Sequence, residues 1–329
     1  MKNRLFTSGF KEMFVNNHLT LGVFFPIEAY EGSIPTMRNQ VELAKRAEKL
    51  GFAALWVRDV PLHDPNFGDV GQIFDPFVYL GYIASQTSRI ALATGSIIFS
   101  QRHPLHLAKA AASVDQLSKG RLVMGIASGD RPLEFPAFNI DFNSRGERFR
   151  QTFDDFHKLL NSQFPTIKSS LTILEGADLL PKPVGDHIPI LVTGHSRQTI
   201  KWIAKYSDGW LYYPRNLQNQ AQIIQDWRKL APNIFKPYAQ SLYIDLTDNP
   251  YTSPTPIHLG YRLGYYCLID LLYELQEIGV NHVALNLKYG QRPAVDVIEE
   301  LGFNVLPHFP SAGCTNRNRS ESYSENCIN

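Results

Sequence analysis

Six consecutive residues, Gly194-His195-Ser196-Arg197-Gln198-Thr199, carry the clearest chemical signal in the chain. They lead from an apolar, strand-like run into a helical pattern, and Ser196 suits a helix N-cap. Free amides of a first helical turn, the helix dipole and the Arg197 guanidinium would converge on one spot. That convergence is how proteins hold a phosphate. The same residues also read as a capped helix with a solvent-exposed arginine.

Other reactive side chains are grouped more loosely. Asp59, His63 and Asp64 follow the second apolar run, and Asp59 and His63 are candidates for acid–base work. His103 and His106 are three residues apart but lack a third ligand, so no metal site is expected. A Walker loop, a nucleophile elbow and a CxxC pair are all missing from the sequence. Residues 125–129 (GIASG) look like a dinucleotide loop, but the stretch is too short and lies within a strand. Lys288 is a weak candidate for a Schiff base, the chemistry of an unrelated barrel aldolase.

These residues must be positioned by the elements around them. Apolar runs at 21–26, 53–59, 90–98, 121–128, 188–193, 209–213, 241–246 and 282–287 read as strands buried on both faces. Helical patterns at 36–50, 75–88, 104–118, 142–164, 196–206, 217–230, 263–278 and 293–301 alternate with them. Asp75 with Pro76 marks a helix start and Gly51 a helix stop. Strict alternation implies parallel strands with right-handed crossovers. Eight units in 329 residues predict an α/β fold, a closed (β/α)8 TIM barrel. Residues 171–184 read as an inserted hairpin or loop between strands four and five, and 248–256 as a Pro-rich loop. Residues 1–18 read as an N-terminal arm, 19–310 as the barrel, and 311–329 as a disordered tail without apolar periodicity.

Composition narrows the function classes. Apolar residues at 44% supply a core, and a net charge of +1 gives no bulk attraction to nucleic acid or membrane. No apolar run is long enough to span a bilayer. Cys267, Cys314 and Cys327 are too scattered for a disulfide framework, which points to a reducing cytoplasm. Barrels of this kind keep their chemistry at the C-terminal ends of the strands. There stand Arg58 and Asp59 after strand two, Thr94, Gly95 and Ser96 ending strand three, and Ser128, Gly129, Asp130 and Arg131 after strand four. The 194–199 corner follows strand five, and Tyr212, Tyr213 and Arg215 follow strand six.

Several segments resemble the luciferase-like flavin monooxygenases. They are Phe52-Ala53-Ala54-Leu55-Trp56-Val57, Ala93-Thr94-Gly95-Ser96-Ile97-Ile98, and His103-Pro104 through Ala108. Asp115-Gln116-Leu117-Ser118-Lys119-Gly120-Arg121 follows, then 125–142 with Glu134, Ala137 and Phe138, then Arg145-Gly146-Glu147-Arg148 and 196–202. They fall in family order over residues 19–308, and the chain looks most like an uncharacterised branch of luciferase-type oxidoreductases.

The resemblance implies reduced FMN with its phosphate at the turn after strand five. Ser196 and Thr199 would touch the phosphate, with Arg197, Gly194 and His195 beside it. Thr94, Gly95, Ser96, Ser128 and Gly129 are the other cofactor candidates. A non-prolyl cis peptide is expected at Gly95-Ser96. The chain also departs from the luciferases. Asp59-Val60-Pro61 replaces a glutamate and two histidines, Val60 standing at the first histidine, and Ala127 replaces the reactive cysteine. Asp130 stands where many members carry tryptophan. Light emission is therefore not implied, and no acid or base carries over; His63 is the candidate substitute.

The leading reading is oxygenation of a small organic substrate by dioxygen and reduced FMN from a separate flavin reductase, in a homodimer. Phe24, Phe25, Trp56, Phe99, Tyr212 and Tyr213 are candidate cavity walls, and 248–260 is a candidate lid. The alternatives are hydride transfer with flavin or deazaflavin, and flavin binding without turnover.

Overall fold

A computed structural model describes residues 6–67 and 71–313. Eight parallel strands close into a barrel: β1 (Thr20–Phe24), β2 (Ala54–Val57), β3 (Ala91–Ile98), β4 (Leu122–Ala127), β5 (Ile190–Thr193), β6 (Gly209–Tyr212), β7 (Tyr238–Leu246) and β8 (His282–Asn286). Each pairs with the next in sequence, and Thr20 opposite His282 joins β8 to β1 and closes the cylinder. The expected TIM barrel is therefore present.

The strands carry Leu, Val and Ile toward an outer shell of helices, where one continuous core forms. Their alternate residues fill the barrel's interior with Ala54, Ala91, Ala93, Val123, Ala239 and Ala284. These mostly small side chains leave room that helix α1 (Ser8–Met13) fills from below. Phe10, Met13 and Phe14 of this segment pack into the inner cluster. The stretch read as an arm is thus a bottom plug. Its helical spacing of Phe6, Phe10, Met13 and Phe14 was visible, but its polar neighbours obscured it.

The chain end differs from expectation as well. Ser311 is buried and accepts from Arg89 Nη1 at 3.2 Å, and the Gly313 amide donates to Glu12 Oε2 at 3.1 Å. These residues pack on the plug, and the remainder of the expected disordered tail, 314–329, lies outside the described residues.

Helices α2 (Gln40–Leu50), α3 (Pro76–Gln86), α4 (Pro104–Leu117), α5 (Arg145–Asn161), α6 (Ile200–Tyr206), α7 (Leu217–Leu230), α8 (Tyr265–Glu277) and α9 (Ala294–Glu300) surround the barrel. The insertion between β4 and β5 holds α5 and a hairpin, Ile167–Lys168 with Ile173–Leu174, earlier than the sequence pattern placed it. A second hairpin, Thr255–Ile257 with Gly260–Leu263, was missed because prolines at 254 and 256 read as loop. Its second strand runs parallel to β7, extending the sheet above the barrel mouth. Among the described residues no helix is long and apolar enough to cross a membrane.

Candidate functional site

A cavity of about 710 Å³ opens at the C-terminal ends of the strands, within the ~300–1,000 Å³ typical of small-molecule sites. Gly95 and Ser96 of β3, Ser128 and Gly129 after β4, and Gly194, His195 and Ser196 after β5 all line it. Thr94 lies beneath, fully buried, with its hydroxyl donating to the Gly125 carbonyl at 2.8 Å.

The Gly95–Ser96 peptide is cis and interrupts the register between β3 and β4. A Cβ on Gly95 would stand 3.0 Å from Phe24 Cζ and 3.2 Å from Trp56 Cε3, so glycine lets this backbone sit close on the aromatic floor without displacing those rings. Ser96 Oγ and Thr193 Oγ1 share a hydrogen bond that ties the ends of β3 and β5 together. Of the expected walls, Phe24, Tyr212 and Tyr213 line the cavity, while Phe25, Trp56 and Phe99 are core residues.

The 194–199 corner is not the first turn of a helix. Gly194, Ser196 and Arg197 all have positive φ, +54°, +45° and +58°. Thr199, not Ser196, caps α6, accepting from the Trp202 amide at 3.2 Å. A turn in which left-handed residues flank one of the ordinary hand, as Gly194 and Ser196 flank His195, points neighbouring N–H groups into a concavity suited to an anion. The corner is braced on both sides. Trp210 Nε1 donates to the Gly194 carbonyl at 2.6 Å, and Gln198 Nε2 donates to the Gly146 carbonyl at 2.8 Å. Arg150 holds the Gln198 amide oxygen through Nε and Nη2, at 3.0 and 2.6 Å. Gly146 is required at this contact, because a Cβ there would stand 2.8 Å from Arg197 Cβ.

That packing brings the start of α5 to the corner and adds a residue that the sequence alone did not assign, Arg145. Its guanidinium rests 3.6 Å from the Phe142 ring centre and donates to the Phe142 carbonyl at 2.6 Å. Its pKa is pushed down, first by burial and then by the positive charge of Arg197, while Asp130 opposes the shift. Two guanidinium groups that repel each other beside a concave backbone suit a bound anion. Arg197, Thr199 and His195 are exposed at this rim.

The Ser196 hydroxyl donates to the Thr193 carbonyl at 2.7 Å. The Thr199 hydroxyl only accepts in its cap, so its proton remains available.

The two acid–base candidates stand in different places. His63 is exposed outside the cavity, with Nε2 2.9 Å from Ser33 Oγ. Asp59 lines the cavity but is spent on structure. Arg102 donates to it through Nε and Nη2 at 2.8 and 2.6 Å, and the Ile98 amide adds a third bond at 3.0 Å. Asp59 is thus held by three donors within the cavity wall, and His63 is not part of that wall. Asp59→Asn is expected to cost about 1–3 kcal/mol in urea unfolding, because the charge of a buried acceptor is lost while Arg102 keeps Asp75 as a second partner. A change below about 0.5 kcal/mol would show that the pair does not hold the segments after β2 and β3 together.

The substrate side carries groups that sequence reading left without a role. Arg58 Nη2 donates to the Tyr243 hydroxyl at 2.5 Å, and the guanidinium lies 5.4 Å from the Phe24 ring centre. His258 and Leu259, from the hairpin after β7, also line the cavity, the His258 ring 5.8 Å from that of Tyr243. Among the described residues no group of three or more His, Cys, Asp or Glu is arranged to hold a metal, and Lys288 does not line the cavity.

Comparison with known proteins gives the family and supports the fold. Residues 19–244 match the family model described as luciferase-like monooxygenase. An uncharacterised protein of Mycobacterium tuberculosis is 29% identical over 200 residues, 56% of this chain and 71% of that one. The crystal structure of monooxygenase RslO1 from Streptomyces bottropensis superposes with a TM-score of 0.73 at 19% identity, over 88% of this chain and 99% of that one. An F420-dependent secondary alcohol dehydrogenase, bound to an F420–acetone adduct, gives a TM-score of 0.71 at 18% identity, over 89% and 99%. At those identities the two structures speak for the shared fold.

Proposed function

The chain belongs to the luciferase-like monooxygenase family, and we propose that it oxygenates a small organic substrate with dioxygen and reduced FMN. The observation that carries the choice of cofactor is the anion corner, where Arg145 stands against a turn with left-handed Gly194, Ser196 and Arg197. The Arg197 guanidinium, the Thr199 hydroxyl, the amides of residues 195–197 and the Arg145 guanidinium would hold the phosphate. Gly95 and Ser96 would form the platform under the ring system, with Ser128 and Gly129 at its edge. A bound reduced flavin supplies the electron pair that lets one atom of dioxygen enter the substrate while the other leaves as water.

The chain's own part is binding, orientation and exclusion of water. Phe24 and Tyr212 give the cavity an apolar floor, and Arg58 with Tyr243 covers it. The 255–263 hairpin brings His258 and Leu259 over the mouth as a lid. A separate reductase in transient contact supplies the reduced cofactor, and the protein works in the cytoplasm. We assign the exposed stripe of Val78 and Tyr82 on α3 to a homodimer contact.

Titration with oxidised FMN, reduced FMN and deazaflavin F420, followed by oxygen uptake during substrate turnover, tests this reading. FMN is expected to bind, more tightly when reduced, and oxygen uptake to match product formed. Preference for the deazaflavin together with anaerobic turnover would replace oxygenation by hydride transfer.

A further inference from the structure

Three carboxylates, Asp59, Asp130 and Glu134, line the cavity, and they are not equivalent. Asp59 is saturated by Arg102 and the Ile98 amide. Asp130 is exposed and lies near enough to Arg145 to support its charge. Glu134 differs from both. It begins a single helical turn, Glu134–Ala137, after β4, and it is only 2% exposed. Oε2 accepts from Gln101 Nε2 at 3.1 Å, whereas Oε1 is buried with no hydrogen-bond partner among the described residues.

An acceptor buried without a partner costs about 1–3 kcal/mol. A carboxyl in the wall of a ligand cavity recovers that cost when a ligand brings the missing donor. Burial is the main cause of a raised Glu134 pKa, with Gln101 and Arg131 pulling it down and Asp59 and Asp130 pushing it up. In either protonation state an oxygen remains able to accept.

Building on the flavin-dependent reading of this cavity, we propose that Glu134 selects the substrate: its unpaired carboxyl oxygen takes a hydroxyl or N–H of a polar organic molecule. The substrate class is then small, donor-bearing organic compounds, such as phenols, alcohols or amines, and not plain hydrocarbon chains. A site built around a hydrogen bond rejects the analogue that lacks the donor, because the acceptor stays unpaired.

Phenol and toluene differ here by one O–H and serve as probes. Their affinities are measured by calorimetry on the FMN-loaded and the flavin-free protein, native, Glu134→Gln and Glu134→Leu, with circular dichroism to check folding. Native protein is expected to bind phenol at least about tenfold more tightly than toluene. Glu134→Leu abolishes that preference, Glu134→Gln keeps part of it through its amide oxygen, and toluene affinity hardly changes in Glu134→Gln. Equal affinities in the native protein, no measurable phenol binding, or an undiminished preference in Glu134→Leu overturns the proposal. If FMN does not bind, the flavin reading falls, while the phenol-to-toluene ratio on flavin-free protein still judges Glu134.

Discussion

Replacing Arg145 and Arg197 together by alanine is expected to weaken FMN binding by about 100-fold or more, while riboflavin affinity stays within about threefold of native. Each guanidinium offers charge-assisted hydrogen bonds worth about 1.5–3 kcal/mol, so losing both removes roughly 3 kcal/mol or more. The comparison with riboflavin isolates the phosphate, since the two ligands share everything else. Arg145 is the more informative single variant, because it comes from α5 and not from the corner's own sequence. Its removal also relieves the repulsion it shares with Arg197. In the flavin-free protein Arg145→Ala should therefore be close to neutral for stability, whereas it costs affinity once FMN is present. Equal losses for FMN and riboflavin would mean that the corner does not read phosphate.

The second large effect lies under the site. His282 on β8 is fully buried inside the barrel between Trp56 and Thr20. Trp56 Nε1 can only donate, and it lies 3.0 Å from His282 Nε2, so Nε2 accepts and the ring proton is on Nδ1. Nδ1 then donates to Thr20 Oγ1 at 2.7 Å, and the Thr20 hydroxyl donates to the Met13 carbonyl of the plug. Every proton in this chain is committed, and a second proton on the ring would break the Trp56 bond in a dry interior. Burial accordingly pushes the His282 pKa down to about 3, from an ordinary value of 6.5.

The sign of the linkage follows. The unfolded chain takes up a proton near pH 6.5 and the folded chain does not until about pH 3. Stability from this residue is therefore complete above pH 6.5 and is lost as pH falls. The loss is about 1.4 kcal/mol per pH unit across the window, roughly 4 kcal/mol by pH 3.5. His282→Gln should be less stable than native at pH 7.5, because it satisfies Trp56 and Thr20 less well. Its stability should then fall less steeply between pH 6 and pH 4, by about one proton, in urea unfolding. Identical slopes for the two proteins would show that His282 titrates normally in the folded state.

The sequence made the barrel readable because its strands are short, apolar and regularly spaced, and because Asp75, Pro76 and Gly51 mark helix ends in the usual way. What it hid were features decided by tertiary contact. The plug at 8–13 alternates large apolar residues with polar ones and becomes a helix inside the barrel because small alanines leave it room. The hairpin at 255–263 forms because its second strand finds the edge of β7, which no local pattern announces.

The site was legible in the same uneven way. Gly95, Ser96 and the 194–199 corner stand at strand ends, where strand counting alone leads. The helix start at Ser196 was misread because its positive φ cannot be seen in a serine. Arg145 is about fifty residues from the corner it joins, and only the glycine beside it, Gly146, hinted at a close approach. Asp59 looked reactive because its partner, Arg102, follows an intervening strand. Glu134 looked like one acidic residue among several until its burial and its unpaired oxygen set it apart.

A crystal structure of the protein with FMN bears most directly on the central claim. The phosphate is expected within hydrogen-bonding distance, about 3 Å, of the 195–197 amides and of the Arg145 and Arg197 side chains, with the ring lying over Gly95 and Ser96. A phosphate bound anywhere else on the barrel, or a ring turned away from the end of β3, would contradict it.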